Sequence, residues 1–412
     1  MKRYSIGLDF GTLSGRCVLV DVENGVEVAN SVSEYKHAVM DHSLPDGTTL
    51  GVDWALQHPQ DYLDVLKVTI RDVMKKSKIT PEQIIGVGVV FTGCTILPIN
   101  KNGMPLCFLD EYKNNPHAYV KLWRHHAAQP QADEINRIAS RRNESFLNRY
   151  GGKISSEWLF PKVLQIFQED RLLYEKTDCF LEATDWIVLM LTGNKIRNTC
   201  ALGFKAIWSQ REGFPSKDFF TAIAPEFRNV VEEKLQGTIQ SVGTKAGEIT
   251  PFASELTGLN VGTSVAVGHF DAAGALVGAG ITTPGVMLAV MGTSTCHMLL
   301  GEDEQFVPGI CGQVENGMIP GYIGYEAGQS SVGDLFQWFV DTCVPESYKS
   351  DAKNKRISVH SYLSKLAESQ LPGEAGIIAL DWLNGNRSVL VNGKLSGMLV
   401  GLTVQTLSLI HI

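Results

Sequence analysis

Apolar residues in the first quarter of the chain follow a helical spacing and then form a short continuous run. After Pro59, apolar positions recur every three or four residues up to Val73, which predicts a helix of about four turns that begins at the proline. The capping-box pattern at 80–83 is followed by the unbroken apolar run 84–90, which predicts a buried strand. A helix that leads into a buried strand indicates the α/β class.

Helical spacing dominates the middle of the chain. It appears at 118–126, 131–149 and 158–169, and again at 180–193, where a glycine at the end predicts a C-terminal cap. Another apolar run at 265–268 predicts a strand. The middle third is therefore expected to be mostly helical.

One pattern occurs twice: an apolar strand that breaks at Gly-Thr and continues into a second apolar strand. We call Gly11–Ser14 the first tip and Gly292–Ser294 the second tip. Glycine lets a backbone approach an oxyanion closely, and successive amides joined by Thr12, Ser14, Thr293 and Ser294 hydroxyls form a donor site for phosphate. Each tip alone is also the pattern of an ordinary tight turn. The duplication favours two tips that face one polyphosphate.

Composition narrows the function class. The chain has 412 residues, 44% of them hydrophobic and 19% charged, which is typical of a soluble globular protein of more than one domain. A net charge of −8 argues against a nucleic-acid-binding face. No apolar run is long enough for a membrane span and no export signal is recognisable, so a cytoplasmic location is expected. The eight cysteines form no C-x-x-C pair, which predicts reduced, buried thiols.

Two carboxylates are candidates for chemistry. Asp9 is separated from the first tip by one residue, Phe10, and a carboxylate there can hold Mg²⁺ directly or through water. Asp271 follows the predicted strand at 265–268, and a carboxylate there can accept the hydroxyl proton during phosphoryl transfer to an alcohol. Asp271 is also well placed to cap a helix, and both roles stay open.

Three further charges stand out. Lys205 and Glu326 lie in segments with little other charge, so each requires a partner or a ligand. They are candidates to hold the hydroxyls of a polyol, and a structural ion pair is the alternative. Arg16 follows the first tip and can either reach phosphate or remain an exposed hairpin residue.

The chain resembles the FGGY carbohydrate kinases, in particular their ribulokinase branch. The resemblance runs from 7–12 to 401–403, and six stretches within it resemble that branch most closely: 91–95, 122–128, 154–158, 268–272, 324–330 and 381–387. It implies two ribonuclease-H-like α/β domains around a cleft, with the sugar held by residues 1–280 and the nucleotide by 281–412. The chain pattern itself places the junction at 282–284, just after the small-residue stretch 272–280.

The implied reaction is transfer of the γ-phosphate of ATP to the terminal hydroxyl of L-ribulose, as in L-arabinose breakdown. By this resemblance Asp271 is the base, Asp9 and Asp271 position Mg²⁺, and Lys205, Glu326 and the backbone near Gly93 hold the ketopentose. Gly11, Thr12, Ser14, Arg16, Gly292, Thr293 and Ser294 are the phosphate-binding candidates. The partners are then small molecules, with no nucleic acid or membrane, and a homodimer is one option for assembly.

The end of the chain departs from the family pattern. The family continues well beyond 397–402, whereas this chain ends in 407–412, a segment that does not resemble it. The expectation is a truncated reading frame whose second domain lacks part of its sheet and the adenine pocket. Alternatives to a ribulokinase are therefore a different sugar or polyol kinase of the family and a non-catalytic sugar or nucleotide sensor.

Overall fold

The computed structural model describes residues 2–403. Segment 407–412, which is predicted to depart from the family pattern, lies outside these residues.

Within residues 2–403 the strands are β1 (Tyr4–Phe10), β2 (Ser14–Asp21), β3 (Glu27–Glu34), β4 (Leu56–Gln57), β5 (Ile84–Phe91), β6 (Ile96–Ile99), β7 (Val120–Lys121), β8 (Cys179–Glu182), β9 (Ile196–Asn198), β10 (Thr238–Gln240), β11 (Lys245–Glu248), β12 (Ser264–Ala266), β13 (His269–Phe270), β14 (Met287–Met291), β15 (Thr295–Gly301), β16 (Gly312–Glu315), β17 (Ile323–Gln329), β18 (Ile378–Leu380) and β19 (Met398–Val400).

The α-helices of the same part of the chain are α1 (Pro59–Ser77), α2 (Gln129–Arg142), α3 (Leu159–Glu169), α4 (Arg171–Lys176), α5 (Ala183–Thr192), α6 (Thr199–Lys205), α7 (Lys217–Ile223), α8 (Val230–Lys234), α9 (Pro251–Thr257), α10 (Asp271–Gly278), α11 (Gly333–Thr342), α12 (Glu346–Asn354) and α13 (Val359–Ala367).

The first large sheet has the order β11-β12-β5-β1-β2-β3, with β13 also paired to β5. Strands β1, β2 and β3 are antiparallel neighbours, whereas β5 runs parallel to β1, β12 and β13. Alternate residues of β1 point into the core, where Ile6, Leu8 and Phe10 are almost fully buried. The predicted α/β class is confirmed.

Helix α1 covers this sheet and matches its prediction. It begins at Pro59 and ends where Lys78 takes a left-handed conformation. Its Val65 packs against Gly15 of β2, where a Cβ atom would lie 2.5 Å from Val65 Cγ1. The absence of a side chain at Gly15 therefore lets the helix lie directly on the sheet.

Three sequence predictions for local structure are wrong. Residues 118–126 do not form a helix, because 120–121 pair as β7 with β4 and β6 and bury Lys121. The helix predicted over 131–149 ends at Arg142, where Asn143 is left-handed, and a 3₁₀ helix follows at Ser145–Tyr150. The helix predicted over 180–193 begins only at Ala183, because residues 179–182 pair with β6 as strand β8.

The later part of the chain forms a smaller sheet with the antiparallel order β14-β15-β17-β16. A separate hairpin pairs β18 with β19. The region built on the first large sheet and the region built on the smaller sheet are called the two regions below. They pack directly on each other, since Phe204 and Phe270 share a buried cluster with Met298, Val314 and Met318. Residues 281–286 lie between α10 and β14, and the domain junction at 282–284 stays a prediction.

The thiol prediction holds in the structure, since all eight cysteines are free and six of them are buried. No helix in the described range is long and apolar enough to cross a membrane.

Candidate active site

The candidate site is built at the carboxyl ends of three neighbouring parallel strands, β1, β5 and β13. Asp9 and His269 each pair with Val90 in register, and Phe10 and Phe270 each pair with Phe91. The residues that follow these strands therefore emerge at one sheet edge. They are the first tip after β1, the turn Thr92–Thr95 after β5, and Asp271 after β13.

The first tip is a tight turn tied into the rest of the protein. Gly11 N donates a hydrogen bond of 3.0 Å to Ser14 O. The indole Nε1 of Trp123 donates to Thr12 Oγ1 at 3.1 Å, and Gln57 Nε2 donates to Thr12 O at 2.8 Å. The tip is therefore held in place by side chains more than forty residues away in sequence.

Asp9 and Arg16 face each other across the β1–β2 pair. Arg16 Nη1 donates to Asp9 Oδ2 at 2.9 Å, and the Arg16 side chain is 57% exposed. The structure therefore places Arg16 beside the first tip as the partner of Asp9. Its predicted role in binding phosphate stays a prediction.

Asp271 is the first residue of α10. Its Oδ1 accepts the amide of Ala272 at 2.7 Å. The N-cap of α10 is Phe270 and has no side-chain cap hydrogen bond, so Asp271 is not the N-cap that the capping alternative expected. Burial, together with the negative charges of Asp9 and Glu326, raises the pKa of Asp271 to about 7 against the lowering effect of the Ala272 hydrogen bond. A carboxyl group with that pKa can both accept and release a proton near neutral pH.

The turn Thr92–Thr95, which we call the sugar turn, lies next to Asp271. Thr92 N donates to Phe10 O at 3.1 Å, which attaches the turn to the end of β1. A Cβ atom on Gly93 would lie 3.0 Å from the ring of Phe270, the residue before Asp271. Close packing at this point requires glycine or a shift of the ring, so the backbone at Gly93 lies directly against the residue that precedes Asp271.

Lys205 and Glu326 form a buried ion pair that joins the two large regions. Lys205 Nζ lies 2.6 Å from Glu326 Oε2, and the two side chains are 4% and 5% exposed. Helix α6 can carry Lys205 to this point because Gly203 packs directly against Val314 of β16. Burial alone would lower the pKa of Lys205, but the charge of Glu326, with smaller contributions from nearby thiols, raises it. Lys205 is therefore a fixed positive charge buried between the two regions.

Sequence reasoning missed two members of this cluster, Arg387 and Glu157. Arg387 Nη2 lies 3.5 Å from Glu157 Oε2 and 3.6 Å from Glu326 Oε1. Burial would raise the pKa of Glu157, but Arg387, followed by His126 and Lys205, lowers it. The negative charges of two glutamates are thus balanced by the positive charges of Lys205 and Arg387 where the two regions meet. Both missed residues lie in the stretches 154–158 and 381–387 that carried the family resemblance, which was the available signal.

The second tip is anchored by the start of α11. Val332 N donates to Thr293 O at 2.9 Å and Gly333 N donates to Gly292 O at 3.0 Å. A Cβ atom at Gly333 would lie 2.5 Å from Gly292 O, so this close approach depends on a glycine. Gly292 and Thr293 are exposed, as a ligand-binding turn requires. That the two tips face one ligand stays a prediction.

The residues at the site fit a metal ion that takes most of its ligands from bound phosphate and water and few from the protein. In residues 2–403 no group of three or more His, Cys, Asp or Glu side chains is arranged around a metal position. Asp9 and Asp271 are close enough to interact electrostatically. Two carboxylates beside the turn predicted to bind phosphate would suit Mg²⁺, which keeps waters and phosphate oxygens as ligands.

Comparison with known families agrees with this geometry. Residues 4–278 match the N-terminal domain model of the FGGY family of carbohydrate kinases, and 287–411 match its C-terminal domain model. The chain belongs to this family. The resemblance drawn from the sequence is confirmed.

Curated relatives cover nearly the whole chain. It is 53% identical over 405 residues to a ribulokinase of Halalkalibacterium halodurans, covering 98% of this chain and 72% of that protein. It is 55% identical over 395 residues to a ribulokinase of Bacillus licheniformis, covering 96% and 72%. The chain thus spans somewhat under three quarters of the length of these relatives.

Solved structures support the fold. A ligand-bound xylulose kinase from Lactobacillus acidophilus superposes with a TM-score of 0.76 at 16% identity, covering 97% of this chain and 73% of that one. A Plasmodium falciparum glycerol kinase with ADP superposes with a TM-score of 0.71 at 15% identity, covering 100% and 75%. The mixed α/β fold with the N- and C-terminal regions of the family is therefore established.

Proposed function

We propose that this protein transfers the γ-phosphate of ATP to the terminal hydroxyl of L-ribulose and forms L-ribulose 5-phosphate. The relatives at more than half identity are ribulokinases. The observation that carries the proposal is the convergence of Asp271, the sugar turn and the first tip at one sheet edge. Acceptor, base and phosphate site must lie together for phosphoryl transfer, which depends mainly on positioning and electrostatics.

Asp271 serves as the base in this reaction. The terminal hydroxyl oxygen of the ketose attacks the γ-phosphorus while its proton passes to a carboxylate oxygen of Asp271. The bond from the γ-phosphorus to the bridging oxygen breaks, and ADP leaves. Asp271 keeps one oxygen on the Ala272 amide, which fixes the carboxylate while the other oxygen is available to the substrate.

Lys205 and Glu326 hold the sugar. Lys205 supplies donors and Glu326 supplies acceptors, and a polyol that enters the cleft exchanges hydrogen bonds with both. Because the pair joins the two regions, the sugar would bridge them as well. Such bridging favours a closed cleft that excludes water as a competing acceptor.

The two tips bind the phosphates. Backbone amides and the hydroxyls of Thr12, Ser14, Thr293 and Ser294 are the donors, with Arg16 at the rim of the first tip. Mg²⁺, when bound beside Asp9 and Asp271, would neutralise charge on the transferring phosphate. The assignments to sugar-binding residues 1–280, nucleotide-binding residues 281–412, a homodimer and a cytoplasmic location remain predictions alongside this proposal.

A substrate panel tests the function. Purified protein is assayed with ATP and Mg²⁺ against L-ribulose, D-ribulose, D-xylulose and glycerol, with coupled detection of ADP. We expect the highest kcat/KM on L-ribulose. Strong activity on D-xylulose or glycerol with none on ribulose would assign a different kinase of the family.

Calorimetry separates catalysis from binding. L-ribulose and ATP are titrated separately into the same preparation. Binding of ribulose with no ADP formed in the coupled assay would reject the kinase and support a sugar sensor. Binding together with turnover supports the proposal.

A further inference from the structure

A fully buried lysine that the proposed mechanism does not use lies beneath the site. Lys162 is on α3 and its side chain is 0% exposed. Its ammonium donates to Cys94 O at 2.6 Å, to Leu122 O at 2.8 Å and to Lys121 O at 3.4 Å. An ammonium group has three donors, so all of them are occupied by backbone carbonyls. Lys162 therefore has no donor left for a substrate.

The first of these carbonyls belongs to the sugar turn. Cys94 follows Gly93 directly and has a φ of +59°, a left-handed conformation that is uncommon for residues other than glycine. Such a conformation persists only when its surroundings hold it. The Lys162 ammonium donates to the Cys94 carbonyl, and the Thr95 amide donates a hydrogen bond of 3.0 Å to Glu182 Oε2.

The other carbonyls belong to the segment that anchors the first tip. Leu122 immediately precedes Trp123, whose indole donates to Thr12 Oγ1 at 3.1 Å. One ammonium thus connects the turn expected to hold the sugar with the segment that fixes the tip expected to hold phosphate. Hydrogen bonds from a charged donor are shorter and roughly twice as strong as neutral ones, which makes this a stiff connection.

The charge state of Lys162 supports this role. Burial lowers its pKa to about 8, against the opposing effects of Cys94, Glu182 and Glu157. The group therefore remains mostly protonated at neutral pH. A neutral amine would leave one of the carbonyls without a donor, at a cost of about 1–3 kcal/mol.

We propose that Lys162 is a positioning residue that fixes the backbone of Gly93 relative to Thr12 and thereby sets the affinity for the sugar. The inference rests on the proposed function, because that function assigns the sugar to the Gly93 turn. It adds a determinant of sugar affinity that lies outside the sugar's own contacts.

The test compares Lys162→Met with a matched control, Lys234→Met. Lys234 is also buried, at 8% exposure, and donates to Thr177 O at 2.5 Å and Glu175 O at 3.4 Å. Those carbonyls belong to the last turn of α4 and the residue just after it, not to the site's sheet edge. Both substitutions remove an ammonium from backbone carbonyls, so both lower the melting temperature.

The kinetic readout separates positioning from stability. Assayed below both melting temperatures, Lys162→Met raises KM for the ketose about tenfold or more, since small misplacements of binding groups are costly. KM for ATP stays within about twofold, and Lys234→Met changes neither constant by more than that. Equal effects of the two variants on ketose KM would overturn the proposal, as would an unchanged ketose KM in Lys162→Met.

Two further measurements test the proposal, and the first of them applies even if Lys162→Met does not fold. Thr95→Val removes the 2.9 Å hydrogen bond between Thr95 Oγ1 and Thr92 Oγ1 and the 3.5 Å hydrogen bond from Thr95 Oγ1 to Gly93 O, both within the same turn. It raises ketose KM severalfold with ATP KM unchanged, and no change would count against turn geometry as the determinant. Hydrogen exchange of residues 91–97 should be faster in Lys162→Met than in Lys234→Met, and equal rates would overturn the role of Lys162.

Failure of the proposed function gives a different result. The wild-type substrate panel identifies the sugar, and the ratio of variant to wild-type KM is then measured with whichever sugar is used. If no sugar is phosphorylated, the exchange rates of residues 91–97 still decide whether Lys162 fixes the turn.

Discussion

The first large sheet and the smaller sheet of the later region differ in how completely they are packed. In β1, Ile6 and Phe10 are 0% exposed, and β5 is buried on alternate positions as well. In β14, Met287 and Met291 are 60% and 75% exposed. Asp271, the proposed base, and the turn Thr92–Thr95 thus belong to the closely packed region, whereas the second tip belongs to a sheet with an exposed apolar face.

This difference teaches where function and stability are coupled. Substitutions at the packed sheet edge change both catalysis and folding, because the same buried groups serve both. Substitutions on the exposed face of the smaller sheet remove little buried area and change stability little. The predictions below test this contrast from the largest expected effect to the smallest.

The largest effect is expected from Asp271→Asn. The amide keeps the shape and can still accept the Ala272 amide, but it cannot accept the hydroxyl proton. We expect kcat to fall by a factor of about 10²–10⁴, the range of general base catalysis, while the dissociation constant for L-ribulose stays within about threefold. Coupled ADP detection and calorimetry measure the two quantities.

Asp218→Asn is the control for this change, since Asp218 is also in the first turn of a helix but is exposed. Its kcat should match the wild type. Near-normal kcat in Asp271→Asn would mean that another group accepts the proton.

The next effect concerns the ion pair between the regions. Lys205→Met leaves the buried carboxylate of Glu326 with only the more distant Arg387. We expect the free energy of unfolding to fall by about 3 kcal/mol, the lower end for a broken buried pair, and ribulose binding to be lost. Denaturant unfolding measures the stability change.

Two further variants show whether this is a property of burial. Lys245→Met breaks an equally short pair with Glu248 whose side chains are more than half exposed, and it should cost less than about 1 kcal/mol. Lys205→Met combined with Glu326→Leu should recover part of the lost stability without restoring ribulose binding. A double variant as unstable as Lys205→Met alone would contradict the ion-pair explanation.

A smaller effect is expected from pH. Because burial, Asp9 and Glu326 raise the pKa of Asp271 to about 7, the base is increasingly protonated below that pH. We expect kcat/KM to fall about tenfold per unit below pH 7. A profile that is flat between pH 5 and 7 would contradict the assignment of the base.

The same shift predicts a stability effect of defined sign. Between about pH 4 and pH 7 the folded state keeps the Asp271 proton that the unfolded state has released, so stability decreases as pH rises through this range. The stability of Asp271→Asn relative to the wild type should therefore increase over the same interval. Denaturant unfolding of both proteins at several pH values measures the difference.

Much of the packed region was predictable from local pattern, and much of the site was not. The helix at Pro59 and the strand at 84–90 follow from apolar spacing, which burial in a sheet enforces. The segment around Lys121 was misread as helical, because pairing with β4 and β6 is a long-range event that spacing does not encode. Asp271 was found because it follows a strand.

The charge cluster shows the same limit. Lys205 and Glu326 stood out as isolated charges in apolar segments, and each was expected to need a partner or a ligand. Arg387 and Glu157 join them from distant segments, so only the fold brings the four together. The role of Lys162 was invisible for the same reason, since its partners are backbone carbonyls of two other loops.

The smallest effect is expected on the exposed face of the later region. Met291 is 75% exposed and Phe336 of α11 is 58% exposed. Because little apolar area is released from water or lost from packing, Met291→Ser and Phe336→Ser should each change the free energy of unfolding by less than about 0.5 kcal/mol. Phe10→Ala in the packed sheet, by contrast, should cost about 3–5 kcal/mol. Losses of several kcal/mol at Met291 or Phe336 would mean that this face is covered in solution, and the contrast between the two sheets would then disappear.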